Sequence, residues 1–221
     1  MPSGTKQGIV LLTGFEPFNQ QTVNPAALAV EALAHREILG RRVVAKILPV
    51  TFADALSVLL RTLRAVRPEL VICVGEAGGR AEITVERVAI NIDDARIPDN
   101  AGAQPVDRPI VARGPVAYWS TLPIKSIVAA LQKRGIPAAV SQTAGTFVCN
   151  HVFYGLMHAL ATERGVRGGF IHVPMLPDQV AKLPVPTPSM PIALMTLALE
   201  TAIETALRTR RDVRAAGGAT H

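Results

Sequence analysis

Strand-like and helix-like runs alternate along almost the whole chain, and that alternation limits the fold more than any other feature. GIVLLTG (8–14) reads as a buried strand, and Asn24-Pro25 then forms an N-cap and first-turn pair that opens a helix to about His35. RVVAKILPV (42–50) is β-like, and FADALSVLLRTLRAVRP (52–68) is an amphipathic helix ended by proline. ELVICVG (69–75) is a strongly apolar strand, ITVERVAINI (83–92) a further strand, and PIKSIVAALQKRG (123–135) a helix with a glycine stop. The strand PAAVSQT (137–143), a helix from about Thr146 to Glu163, the strand GGFIHVP (168–174) and a helix over about 191–210 complete the series. This pattern predicts an α/β fold with a mostly parallel, twisted sheet between two helical layers, one domain over residues 1–221. Residues 1–7 and about 211–221 are expected to form flexible tails. Two stretches break the rhythm. Residues 94–120 are rich in Pro, Gly and Asp and too long for an ordinary connection, which suggests a functional excursion. LPVPTPSMP (183–191) reads as an extended connector.

Composition excludes several classes. With 49 % hydrophobic and 18 % charged residues in 221, the chain is that of a compact protein with a substantial core, not a disordered one. Aromatics are only 4 %, so the core must rest on Ala, Val, Leu and Ile. No apolar run approaches the roughly 20 residues that span a bilayer, and the N-terminus lacks a signal-peptide pattern. Two cysteines give no disulfide framework, so a cytoplasmic location is expected. The formal charge of +6 is concentrated near the C-terminus, where Arg208, Arg210, Arg211 and Arg214 face only Asp212. No basic stripe carries interleaved aromatics, so neither nucleic acid nor membrane is an expected partner.

The chemistry centres on TAGTFVCNHVF (143–153), where Cys149 sits just where a helix should begin. In a parallel sheet, ligand sites lie beyond the carboxyl ends of the strands. Free N–H groups at a helix start favour a thiolate and can hold an oxyanion. Cys73, mid-strand between Ile72 and Val74, reads instead as a core residue. Of five histidines, His35 and His221 sit at a helix end and at the terminus. His151 and His158 are wrongly spaced along the Cys149 helix to face the thiol. His172, at the end of the strand following that helix, can approach Cys149 if the two strands lie side by side, giving a Cys–His arrangement. A third, orienting carboxylate is needed; spacing leaves Glu86, Asp93, Asp94 and Asp178 open, with Arg80 or Arg87 as an alternative partner for Glu86. There is no HExxH and no Cys cluster, hence no expected metal.

Four blocks, TGFEPFNQQTVNPA, GEAGGRAEITVERVAINIDDARIPDNAGAQPVDRPI, TAGTFVCNHVFYGLMH and IHVPMLPDQV, closely resemble the signature blocks of the pyroglutamyl peptidase I (pyrrolidone-carboxylate peptidase) family, in the family's order over roughly residues 9–190. The resemblance implies an open α/β/α sandwich, a phosphorylase/hydrolase-like architecture. It implies a cytosolic cysteine exopeptidase, often a homotetramer, that removes N-terminal 5-oxoproline from peptides without a cofactor. Carried over residue by residue, it makes Cys149 the nucleophile, His172 the general base and then acid, and Glu86 the third member. Arg96 and the Cys149 backbone N–H would hold the oxyanion. Phe15 and Phe18 would wall the ring pocket, with Ile97, Phe147 and Val148 nearby. The backbone near Glu76 would meet the lactam; many relatives have Gln there. Two other readings compete with this one: a phosphorylase-like enzyme, for which the sequence offers no separate phosphate loop, and a pyroglutamyl-peptide- or protein-binding module without turnover.

Overall fold

The structure, a computed structural model, describes residues 7–163 and 165–218. The expected N-terminal tail therefore falls almost wholly outside the described residues. In chain order the elements are β1 (Gly8–Phe15), α1 (Pro25–Ala32), β2 (Glu37–Ile38), β3 (Arg41–Leu48), α2 (Ala55–Val66), β4 (Leu70–Glu76), β5 (Ile83–Glu86), β6 (Val88–Ile90), β7 (Ala117–Trp119), α3 (Ile124–Lys133), β8 (Ala138–Ser141), α4 (Val148–Leu160), β9 (Arg167–Val173), α5 (Pro177–Val180) and α6 (Ile192–Arg208).

Seven strands form one sheet in the order β2-β3-β1-β4-β9-β5-β8. β3, β1, β4 and β9 run parallel to one another, and β5 and β8 form a second parallel pair set antiparallel to β9. Both faces are covered. Along β4, Leu70, Ile72 and Val74 pack with α1, α3 and α6, while Val71 and Cys73 pack with α2 and α4. Alternation with period two thus sends neighbouring apolar residues into different cores, which is why this strand reads as a continuous hydrophobic run.

Three expectations need correction. The stretch 83–92 is not one strand: it breaks at Arg87 into β5, in the main sheet, and β6, which pairs with β7 in a separate ribbon packed on α4. Apolar patterning continues across the break, so nothing in the residue order announces it. Second, β8 and β9 are not neighbours, because β5 lies between them and reverses the direction. Third, residues 211–218 are docked. Pro123 cannot cap α3 with its side chain, and Asp212 takes that role from the far end of the chain. Its carboxylate accepts from Lys125 N–H (2.9 Å), Ser126 N–H (2.9 Å) and the Ser126 hydroxyl (2.8 Å). The tail continues to Gly217, whose carbonyl accepts from Arg87 Nη2 at 2.7 Å.

The excursion 94–120 is likewise anchored. Asp94 N–H donates to the Thr146 carbonyl (2.9 Å) and the Thr146 hydroxyl to the Asp94 carbonyl (2.7 Å), so the loop is tied to the turn that opens α4. Asp99 accepts from Phe52, Ala101 and Ala103 N–H at 2.8–2.9 Å, which fixes the loop against the start of α2.

Candidate active site

Three parallel neighbours, β1, β4 and β9, end side by side, and their last residues form the floor of a cavity of about 640 Å³. Phe15 ends β1, Glu76 ends β4, and His172 is the penultimate residue of β9, paired in register with Gly75. The head of α4 comes down over this edge. A methyl group on Gly75 would stand 2.9 Å from Cys149 Sγ and 2.9 Å from Phe170, so only the absence of a side chain lets the thiol settle against β4 beside His172. Gly75 lies inside a strongly apolar run, and sequence reasoning missed its role.

Cys149 is the second residue of α4, whose N-cap is Phe147. A phenyl ring cannot cap, so the first N–H groups of the helix are left for another acceptor. The phenyl ring instead packs against Phe18 (centroids 5.1 Å) and Phe52 (5.2 Å) and forms the cavity wall with Val148. Phe15 and Phe18 complete that wall. Their loop is pinned by Glu16, whose Oε1 accepts from Val50 N–H (3.1 Å) and Asn100 Nδ2 (2.9 Å). Arg96 also lines the cavity, whereas Ile97, expected nearby, does not. The loop held by Asp99 brings only the arginine of its Arg-Ile pair to the rim.

Behind the floor, His172 Nδ1 lies 2.7 Å from Glu86 Oε1, with Glu86 completely buried. The carboxylate meets the ring through Nδ1, which leaves Nε2 as the ring nitrogen not engaged by Glu86. His172 is thus held from behind by Glu86, with its register partner Gly75 under the thiol. The other candidate carboxylates lie elsewhere: Asp93 pairs with His151 at 2.9 Å, and Asp94 and Asp178 are exposed. β5, interposed between β8 and β9, supplies Glu86; Cys149 arrives not along an adjoining strand but on the loop that folds back from β8.

Burial pushes the Cys149 thiol up to about 12, and the nearby Glu86, Cys73 and Glu76 add to the shift while Arg80 opposes it. The resting group is therefore the thiol, with the α4 N–H groups available to stabilise charge once it forms. Cys73, wholly buried beside Thr13, is likewise raised to about 12 by burial and has no histidine partner among the described residues. Burial also raises the Glu76 carboxyl, against the hydrogen bond that its Oε2 accepts from Gln179 Nε2 (3.2 Å). Glu76 lines the cavity at the end of β4, with its carboxylate held by Gln179.

A second cavity, of about 530 Å³, is lined by Phe52, Asp93, Arg108 and His151 and contains no cysteine. Among the described residues no group of three or more His, Cys, Asp or Glu side chains could hold a metal ion, and no helix is long and apolar enough to cross a membrane.

Known proteins share this arrangement of elements. The family model described as pyroglutamyl peptidase matches residues 8–209. The pyrrolidone-carboxylate peptidase of Klebsiella pneumoniae is 61 % identical over 212 residues, covering 96 % of this chain and 99 % of that protein. The one from Bacillus cytotoxicus is 54 % identical over 213 residues, with the same coverage. The pyroglutamyl peptidase I structure from Bacillus amyloliquefaciens superimposes with a TM-score of 0.90 at 48 % identity, covering 93 % of this chain and all of that one. The pyrrolidone carboxyl peptidase of Thermococcus litoralis gives 0.91 at 40 % identity, covering 95 % and 99 %. With its fold and nearly its whole length in common with these enzymes, the chain belongs to the pyroglutamyl peptidase family.

Proposed function

We propose that this chain is a cofactor-independent cysteine exopeptidase that removes N-terminal pyroglutamate from peptides through Cys149, His172 and Glu86. The observation that carries the reading is the seat of Cys149 Sγ against Gly75, whose register partner His172 is held by Glu86 at 2.7 Å. Pyroglutamate is a neutral lactam without a free α-amine, and the aromatic walls from Phe15, Phe18 and Phe147 suit its flat ring. Backbone groups at the end of β4, near Glu76, would meet the lactam N–H and C=O.

In the first half-reaction His172 Nε2 takes the Cys149 proton as Sγ attacks the pyroglutamyl carbonyl carbon. A thiol raised by burial fits transfer during attack better than a standing thiolate. The tetrahedral oxyanion is stabilised by the Cys149 N–H and by Arg96. His172 then returns its proton to the leaving amine, the C–N bond breaks, and a thioester remains. Water, deprotonated by His172, attacks the thioester, and pyroglutamate and the thiol are released. Glu86 stabilises the imidazolium in both halves and keeps the ring in the required tautomer.

The test is release of a chromogenic amine from a pyroglutamyl amide. Cys149→Ser is expected to lose at least ~10³-fold in kcat, while Cys73→Ser retains activity. Turnover that survives Cys149→Ser would overturn the thiol mechanism, and tight binding of the amide without turnover by the native chain would favour a binding module.

A further inference from the structure

One charged group in the cavity has no part in the mechanism above. Arg80 sits on the loop between β4 and β5, and its guanidinium is the hub of a compact network. Nη1 donates to Glu86 Oε1 at 2.9 Å, to the Thr84 hydroxyl at 2.6 Å and to the Ser141 hydroxyl at 3.4 Å, and Nη2 donates to the Thr143 carbonyl at 3.3 Å. The same Oε1 atom accepts from His172 Nδ1. The second carboxylate oxygen, Oε2, is buried with no hydrogen-bond partner among the described residues. Glu86 is thus a fully buried carboxyl with one oxygen in hydrogen bonds and the other unpartnered, a group whose charge is costly to bury without a cation beside it.

The charged and titratable groups around it are few. His172 approaches from β9 and Cys149 from α4; Glu76 lies across the cavity on β4. Arg87, next in the chain, turns its Nη2 away to Gly217. Arg80 is the cation in contact with Glu86, and a guanidinium stays protonated at any working pH.

We infer that Arg80 is a positioning residue for the reaction: it keeps Glu86 ionised and so holds His172 in the tautomer that can accept the Cys149 proton. The chemical consequence is specific. A neutral Glu86 would donate its own proton to His172 Nδ1, which moves the ring proton to Nε2. The nitrogen facing the thiol would then be a donor, and the base would be lost. Arg80 also ties the β5 end of the site, through Thr143, to the turn that delivers Cys149. This inference rests on the thiol mechanism proposed above.

The experiment follows kcat and KM on a pyroglutamyl amide from pH 5 to 9 for the native chain, Arg80→Met and Arg80→Lys, each also in a Glu86→Gln background. Without the guanidinium, ionisation of Glu86 needs a higher pH, so the acid limb of kcat/KM for Arg80→Met moves up by one pH unit or more. Much of the loss is regained at high pH, and KM changes little. Arg80→Lys keeps the charge and with it the native acid limb, at a lower plateau. In the Glu86→Gln background both substitutions lose most of their effect. An Arg80→Met profile with the native acid limb overturns the inference. If that variant does not fold, Arg80→Lys costing as much with Glu86→Gln as without it does the same. Activity that survives Cys149→Ser overturns the mechanism and this inference together; activity that needs Cys149 but whose acid limb ignores Arg80 overturns this inference alone.

Discussion

Two buried histidine–carboxylate pairs stand at the head of α4, and they differ instructively. His172 meets Glu86 through one oxygen at 2.7 Å; His151 meets both oxygens of Asp93, at 3.1 and 2.9 Å. Each pair joins a histidine to a distant β5- or β6-side carboxylate, and each histidine is nine-tenths buried or more. In isolation the two have the same chemistry. Their neighbours separate them. His172 is paired with Gly75, under the thiol, and its carboxylate also touches Arg80. His151 is two residues beyond Cys149 on one helix, so it points away, edge-on to Phe52 (5.6 Å). Beside it, Asn150 accepts from Ile90 N–H and donates to the Ile90 and Ile92 carbonyls at 2.9–3.1 Å. The second pair is a clamp that fixes the start of α4 to the segment after β6. A buried dyad therefore acquires a catalytic reading only from what shares its cavity.

The largest expected effect comes from exchanging the two histidines' fates. His172→Ala should cost at least ~10³-fold in kcat with little change in thermal stability relative to that loss. His151→Ala should leave kcat within about tenfold but remove a partner from buried Asp93, at roughly 1–3 kcal/mol and several degrees in Tm. Paired measurements of steady-state rates and melting curves decide the matter, and comparable rate losses in both variants would erase the distinction.

Gly75→Ala probes the first pair alone, since nothing equivalent underlies the second. The added methyl must displace either the Phe170 ring or Cys149 Sγ, each only 2.9 Å away. Misplacing a nucleophile by about 1 Å is worth on the order of 10²-fold in rate. We expect a loss of that size in kcat, with the His151 clamp and the melting temperature much less affected. Native-like kcat would mean that the thiol does not need the seat on β4.

The residue order carried the elements well and the partnerships poorly. Cys149 was legible at a helix start because T-A-G-T is turn-forming and a long apolar helix follows; α4 begins at Val148. His172 was legible at a strand end for a similar local reason. Strand order was not, because pairing of β5 between β8 and β9 is set by contacts far apart in sequence. The break at Arg87 was hidden by apolar residues on both sides of it. The choice among Glu86, Asp93, Asp94 and Asp178 could not be made from spacing and came only from the family resemblance; the structure pairs Glu86 with His172 and Asp93 with His151. Gly75 and Arg80 act through absence and through a network respectively, and neither leaves a periodic signal. The C-terminal segment, basic and rich in glycine and alanine, reads as a frayed end, because one aspartate capping a helix 86 residues away has no local signature.

That aspartate offers the smallest effect and the sharpest control. Asp212 is remote from both pairs, yet it too is a carboxylate held by several donors. Burial works to raise its pKa, but hydrogen bonds from Lys125, Ser126 and Val213 outweigh this and hold the carboxyl below the usual aspartate range. A lowered carboxyl stabilises the fold above the ordinary aspartate pKa, near 4, and the contribution disappears as pH falls through the lowered value. Asp212→Ala should therefore cost at most about 1 kcal/mol, the worth of a helix cap at an exposed site, seen as a drop of about 2–4 °C in Tm at pH 7. The difference from the native chain should shrink as pH falls through the lowered value. The pH profile of kcat/KM should stay that of the native chain, because neither Glu86 nor His172 loses a partner. A shifted acid limb in Asp212→Ala would mean that the tail, through Gly217 and Arg87, reaches the Glu86 pair after all.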